Sequence, residues 1–133
     1  MKRNLFVVLG FILMLSGCEM LGKTEYSVSY SVFCSGGEVE SIRYRDKDKI
    51  EKIVYNPRET VDYYWRESFY VEAPFVPEIH VKFRSDSIYG FCLVYLSARE
   101  YGEEDYLYDL EERIDNLPDG KVGNVHIYGD PLN

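Results

Sequence analysis

The sequence predicts a mainly β protein: an antiparallel sandwich of about seven short strands, followed by one C-terminal amphipathic helix. Three observations carry that expectation. Apolar and polar residues alternate with period two in successive short runs. Turn residues (Gly, Pro, Asn, Asp and Ser) separate those runs about every ten residues, the rhythm of a sandwich of immunoglobulin-like build. Composition agrees, with 13 tyrosines and few Ala or Leu beyond the N-terminal segment, a bias toward pleated, half-buried surfaces.

The runs can be taken in order. Tyr26, Val28, Tyr30, Val32 and Cys34 alternate with Ser27, Ser29, Ser31 and Phe33, which places the first set in the core and the serines in water. Ser35-Gly36-Gly37 makes a turn. Residues 38–45 follow, with Ile42 and Tyr44 on one face, and Asp46-Lys47-Asp48-Lys49 forms a polar hairpin tip. Residues 50–55 make a third strand, ended by Asn56-Pro57. Val61, Tyr63, Trp65, Phe69 and Val71 share a parity that Glu67 interrupts, so a bulge or bend is expected near Arg66–Ser68.

Ile79, Val81 and Phe83 alternate with His80, Lys82 and Arg84 in a one-sided strand. Ile88 to Leu96 is apolar on both parities, as in a central strand covered from two sides. Over residues 103–117, Tyr106, Leu107, Leu110, Ile114 and Leu117 show helical spacing, with Glu103, Glu104 and Asp105 suited to a helix N-terminus. Leu117-Pro118-Asp119-Gly120 stops that helix, residues 122–128 form an edge strand, and Gly129-Asp130-Pro131 ends the fold.

The N-terminus has a separate logic. Met1-Lys2-Arg3-Asn4 is positive, Leu5 to Leu15 is apolar, and Leu15-Ser16-Gly17-Cys18 then leads small residues into a cysteine. That is the order of parts of a secretory signal, and the apolar run is too short for the roughly 20 residues of a transmembrane span. With Cys18 at the cleavage point, the stretch resembles the lipobox of bacterial lipoproteins. The resemblance implies that residues 1–17 are removed and that Cys18 is lipidated. Residues 18–24 then serve as a tether of at most about 25 Å, and 25–133 form a single sandwich domain. Because Glu19 rather than Asp follows the cysteine, the resemblance favours the outer over the inner membrane.

Removing Lys2 and Arg3 leaves 13 basic residues against 23 acidic ones. An acidic domain beside a membrane argues against nucleic acid as a partner, and attachment falls to the acyl chains.

Tyr26 to Leu96 also looks similar to small membrane-anchored sandwich domains of the MmpS type. The matching features are Tyr-Ser-Val-Ser-Tyr-Ser-Val (26–32), a glycine turn, and Ile42-Arg43-Tyr44 before a charged tip. Trp65 leading to Phe69 and Val71 follows, and then Gly90-Phe91-Cys92. The resemblance implies an accessory role beside a larger envelope protein; the segment from Glu103 lies outside it.

Few residues suggest chemistry. His80 and His126 are the only histidines, and His80 shares a face with Lys82 and Arg84, so neither points to a metal site. The acids of 103–115 lack the loop spacing of a calcium site. No nucleophile, base and orienting group can be assembled, so neither an enzyme nor a cofactor is expected. Tyr63 and Trp65 should enter the core, leaving Tyr64, Arg66 and Tyr70 outside as candidate ligand or partner contacts.

Cys34 and Cys92 are expected to form a disulfide. Both face the core by parity, export places them in an oxidising compartment, and lipid consumes Cys18. The spacing is similar to that of the inter-sheet bond in immunoglobulin domains.

The expected function is thus a non-enzymatic binding or accessory module, lipid-anchored in the bacterial cell envelope and contacting another envelope protein. The alternative is a binder of a glycan or cell-wall fragment through the exposed strand aromatics. For the anchor, labelled fatty acid should enter the wild-type chain and not Cys18→Ser, which should keep its signal segment. Equal labelling of the two would exclude the lipobox.

Overall fold

The computed structural model describes residues 22–55 and 62–133. The lipobox, Cys18 and the Asn56-Pro57 turn lie outside the described residues. Eight strands are present: β1 Glu25–Ser35, β2 Gly37–Arg45, β3 Glu51–Tyr55, β4 Asp62–Glu72, β5 Glu78–Ser85, β6 Gly90–Glu100, β7 Tyr108–Leu117 and β8 Val122–Tyr128. They form two four-stranded sheets, β4-β1-β6-β7 and β3-β2-β5-β8. Every pairing is antiparallel.

The sandwich is as the sequence implies, but its wiring is not. Successive strands β1 and β2 lie in different sheets, and β1 pairs with β4 and β6. That order differs from the A-B-E-D and C-F-G sheets of immunoglobulin domains. The crossing from one sheet to the other is made at Gly36, whose φ is 70°. At Gly37 a Cβ would run into the Arg84 carbonyl and the Phe83 ring, so only glycine lets β2 start so close to β5.

The core lies between the sheets. Tyr26, Val28, Tyr30, Val32 and Cys34 of β1 and Cys92, Val94, Leu96 and Ala98 of β6 supply one side. Val39, Ile42 and Tyr44 of β2, Ile79, Val81 and Phe83 of β5, and Val125 and Ile127 of β8 supply the other. Burying one such aliphatic side chain contributes about 1.5–3 kcal/mol. Val39 and Ile42 both point inward although three residues separate them, because the β2–β5 register shifts between Val39 and Ser41. The irregularity leaves Glu40 outside, where its carboxylate accepts from Arg84 Nε at 2.6 Å and lies 3.3 Å from Lys82 Nζ.

Tyr30 ties the layers together. Its ring is fully buried between Tyr44 and Phe69, with centroids 5.7 and 5.8 Å away. Its hydroxyl donates to the Arg45 carbonyl of the opposite sheet at 2.8 Å and accepts from the Glu78 amide at 3.3 Å. One side chain thus satisfies two backbone groups across the core. Burial, partly offset by the Glu78 amide, holds the phenol above its ordinary titration range.

Cys34 and Cys92 are bonded, as expected, although not between sheets. They sit opposite one another on neighbouring strands β1 and β6, with Cα atoms 4.2 Å apart. The bridge closes a loop of 58 residues, worth roughly 4 kcal/mol by chain entropy.

The largest correction concerns 103–117. No helix occurs among the described residues, and this region supplies an exposed loop followed by β7. A step of four, Leu110 to Ile114, suits a strand face as well as a helix face. The step of three to Leu117 is absorbed by a register shift, with Ile114 opposite Cys92, Leu117 opposite Gly90 and Asn116 at φ 52°. Tyr108, Leu110, Ile114 and Leu117 consequently all pack against the core. The strand wins because β6 would otherwise present a row of unpaired backbone groups, whereas a helix of about 15 residues is marginal alone.

Three smaller expectations also change. No bulge interrupts β4 near Arg66–Ser68, since its pairing with β1 runs unbroken from Glu72 to Asp62. The strand β6 is covered on one face only; outside, Phe91 meets Phe33 at 5.6 Å and lies under the Arg113 guanidinium at 4.9 Å. Nor does the fold end at Gly129-Asp130-Pro131. Leu132 is buried and bridges Phe75, and Tyr26 donates to the Asn133 carbonyl at 2.6 Å.

Replacing Tyr30 by Phe keeps the ring and strands two backbone groups, so it should cost about 1–3 kcal/mol, read from the urea midpoint. The titration of Tyr30 adds a pH dependence. Its folded value lies above the unfolded 10.0, so stability is full below that value and falls as pH rises past it. Tyr30→Phe should lose less stability over the same alkaline range.

Candidate functional site

The outer face of the β4-β1-β6-β7 sheet carries the side chains that the core rejects. Pairing arranges them in rows across the strands. Tyr70, Ser27 and Arg99 form one row, and Ser68, Ser29, Ser97 and Asp109 the next. Arg66, Ser31, Tyr95 and Glu111 form a third, and Tyr64, Phe33, Leu93 and Arg113 a fourth. The second row holds three serines side by side, flanked by much larger groups. Its low floor opens a groove of about 260 Å³, with Arg66, Tyr70, Arg99 and Tyr106 around it and Ser27, Ser29, Ser68, Ser97 and Phe69 completing the lining.

The groove has an internal order. Ser29 Oγ and Ser68 Oγ are 2.8 Å apart, and Arg66 Nε donates to both at 3.3 Å. These contacts lean Arg66 over the serine floor, and its terminal nitrogens make no hydrogen bond among the described residues. On the other flank the Arg99 guanidinium lies 5.9 Å from the centre of the Tyr106 ring. Tyr70 is braced edge-on by Tyr101 at 5.4 Å. Tyr95 keeps its proton well into the alkaline range, first through desolvation and then through the nearby charge of Glu111.

Neither Arg66 nor Arg99 has a carboxylate within ion-pair distance among the described residues. Five other described cations are paired, Arg45 with Glu78, Lys52 with Asp46, Lys82 and Arg84 with Glu40, and Arg113 with Asp115, while Lys23, Arg43, Lys47, Lys49 and Lys121 make no ion pair among the described residues. What sets the groove apart is that two such cations line one pocket in a chain of net charge −8.

Of the contacts expected from sequence, Arg66 and Tyr70 line this groove. Tyr64 is 62% exposed but sits two rows away, opposite Phe33, and takes no part in it. Ser27, Ser29, Ser68, Ser97, Arg99 and Tyr106 were not singled out by sequence reasoning. The serine alternation of β1 was visible, but not which strands would lie beside it. Tyr63 is buried and Trp65 packs against the core half-exposed.

The two histidines meet on the second sheet. They are paired across β5 and β8 with rings 4.9 Å apart and nearly parallel. His126 Nε2 lies 2.9 Å from Glu78 Oε1, and His80 Nε2 lies 3.1 Å from Asn124 Oδ1. Among the described residues no three His, Cys, Asp or Glu side chains converge as metal ligands.

Compared with protein-family models, curated proteins and solved structures, the chain finds no match. What fold and groove define is an all-β sandwich with a polar, arginine-flanked groove on one sheet.

Because the groove is built from exposed side chains, Arg66→Ala should change folding stability by less than about 0.5 kcal/mol in urea titration. A larger loss would make Arg66 a structural brace.

Proposed function

We propose that this protein is a lipid-anchored, non-enzymatic binding module of the bacterial cell envelope, with the outer membrane as its favoured location. The binding face is the serine-floored groove of the first sheet. The observation that supports this reading is the convergence of two arginines, neither ion-paired among the described residues, on one floor of serine hydroxyls. Such guanidinium donors, hydrated in the free protein, can exchange water for acceptors that a ligand supplies.

Two occupants are in question, another envelope protein and a glycan or wall fragment. The groove favours the glycan. Protein interfaces concentrate their energy in buried Trp, Tyr and Arg anchors at a well-packed centre, whereas the centre of this groove is a row of serines. Here the floor offers hydroxyl donors and acceptors and the walls offer tyrosine rings. That combination suits a ring carrying hydroxyl groups on its edge and C–H groups on its face.

The test is a Ser29→Trp variant of the full chain in detergent, which fills the floor without touching the core. On an array of bacterial envelope oligosaccharides the wild type should bind and the variant should not, at equal melting temperature. If neither binds and crosslinking recovers a defined envelope protein, the protein-partner role replaces the glycan one.

A further inference from the structure

We infer that the saccharide is acidic: a chain of sugars bearing carboxylates, two of which are met by Arg66 and Arg99. This rests on the glycan reading of the groove and adds the charge of the ligand to it.

The inference comes from where the two cations stand. Arg66 lies on β4 opposite Ser31, and Arg99 lies on β6 opposite Ser27, on the two sides of β1. Their backbones are separated by two strand spacings, about 10 Å, across the sheet and by four residues, about 13 Å, along it. Both side chains line one groove, so they face it from diagonal corners. An extended ligand with repeated anionic groups can satisfy both and lay its neutral hydroxyls on Ser29, Ser68 and Ser97 between them.

The guanidinium geometry narrows the anion. Arg66 spends Nε on two serine hydroxyls, which leaves the terminal nitrogens to grip a planar two-oxygen acceptor. Arg99 has the Tyr106 ring beside its guanidinium, 5.9 Å from the ring centre. The rest of the molecule works against unspecific attraction, because a net charge of −8 repels a polyanion everywhere else. An acidic chain that binds must do so through a few placed donors.

The experiment is calorimetric titration of the full chain in detergent with tetragalacturonate, tetramannuronate and tetraglucuronate, each beside its fully methyl-esterified form. The ester preserves the sugar and removes the charge. At least one acid should bind, and its ester should bind at least about tenfold more weakly. Arg66→Ala and Arg99→Ala should each weaken the acid by about tenfold or more at unchanged melting temperature, and added salt should weaken the wild type further.

If an ester binds as well as its acid, the charge inference falls while the glycan reading stands. If the arginine variants keep full affinity, the acid binds elsewhere and the inference is overturned. If no acid and no ester binds, the inference is overturned, while the glycan reading is decided by the envelope array.

Discussion

The strand β1 has one face that can be buried and one that cannot, and the whole first sheet copies that division. Period two allows no intermediate: a register slip of one residue would carry Tyr30 into water and Ser29 into the core. Since β4 and β6 flank β1 in register, they must turn their own apolar residues the same way. Tyr30 then locks the choice from the opposite layer, because its hydroxyl completes backbone groups of β2 and β5. The core and the groove are consequently two sides of one decision.

Much of the fold was legible because alternation is a local signal. The even face of β1, the one-sided character of β5 and the polar tip at Asp46–Lys49 could all be read directly. There Asp46 accepts from the amides of Asp48 and Ile50 and meets Lys52 at 2.7 Å, which holds its carboxyl below the ordinary carboxylate value. The misreading of β7 has an equally local cause. Leu110 and Ile114 satisfy either period, and only the unpaired edge of β6, remote in sequence, decides between them.

The site divides in the same way. Exposure of Arg66 and Tyr70 follows from parity within a single strand, so the sequence suggested both. Arg99 becomes relevant only through the pairing of Ser27 with β6, across 72 positions of chain. Strand order is a long-range property, and residues made neighbours by it leave no mark on the pattern of one strand. Tyr64 shows the converse. It satisfies every local criterion for a contact residue, yet lies two rows from the groove.

The bridge between Cys34 and Cys92 also has a mechanical meaning. Glu25 opens β1, and Cys34 lies near the strand's far end, so a pull on the chain ahead of Glu25 loads β1 along its length. Hydrogen bonds to β4 and β6 then resist together in shear, rather than opening one at a time like a zip. Beyond Cys34 the load passes through a covalent link into the middle of the sheet. The strand that divides core from groove is thereby held against a pull both by its neighbours and by a covalent link.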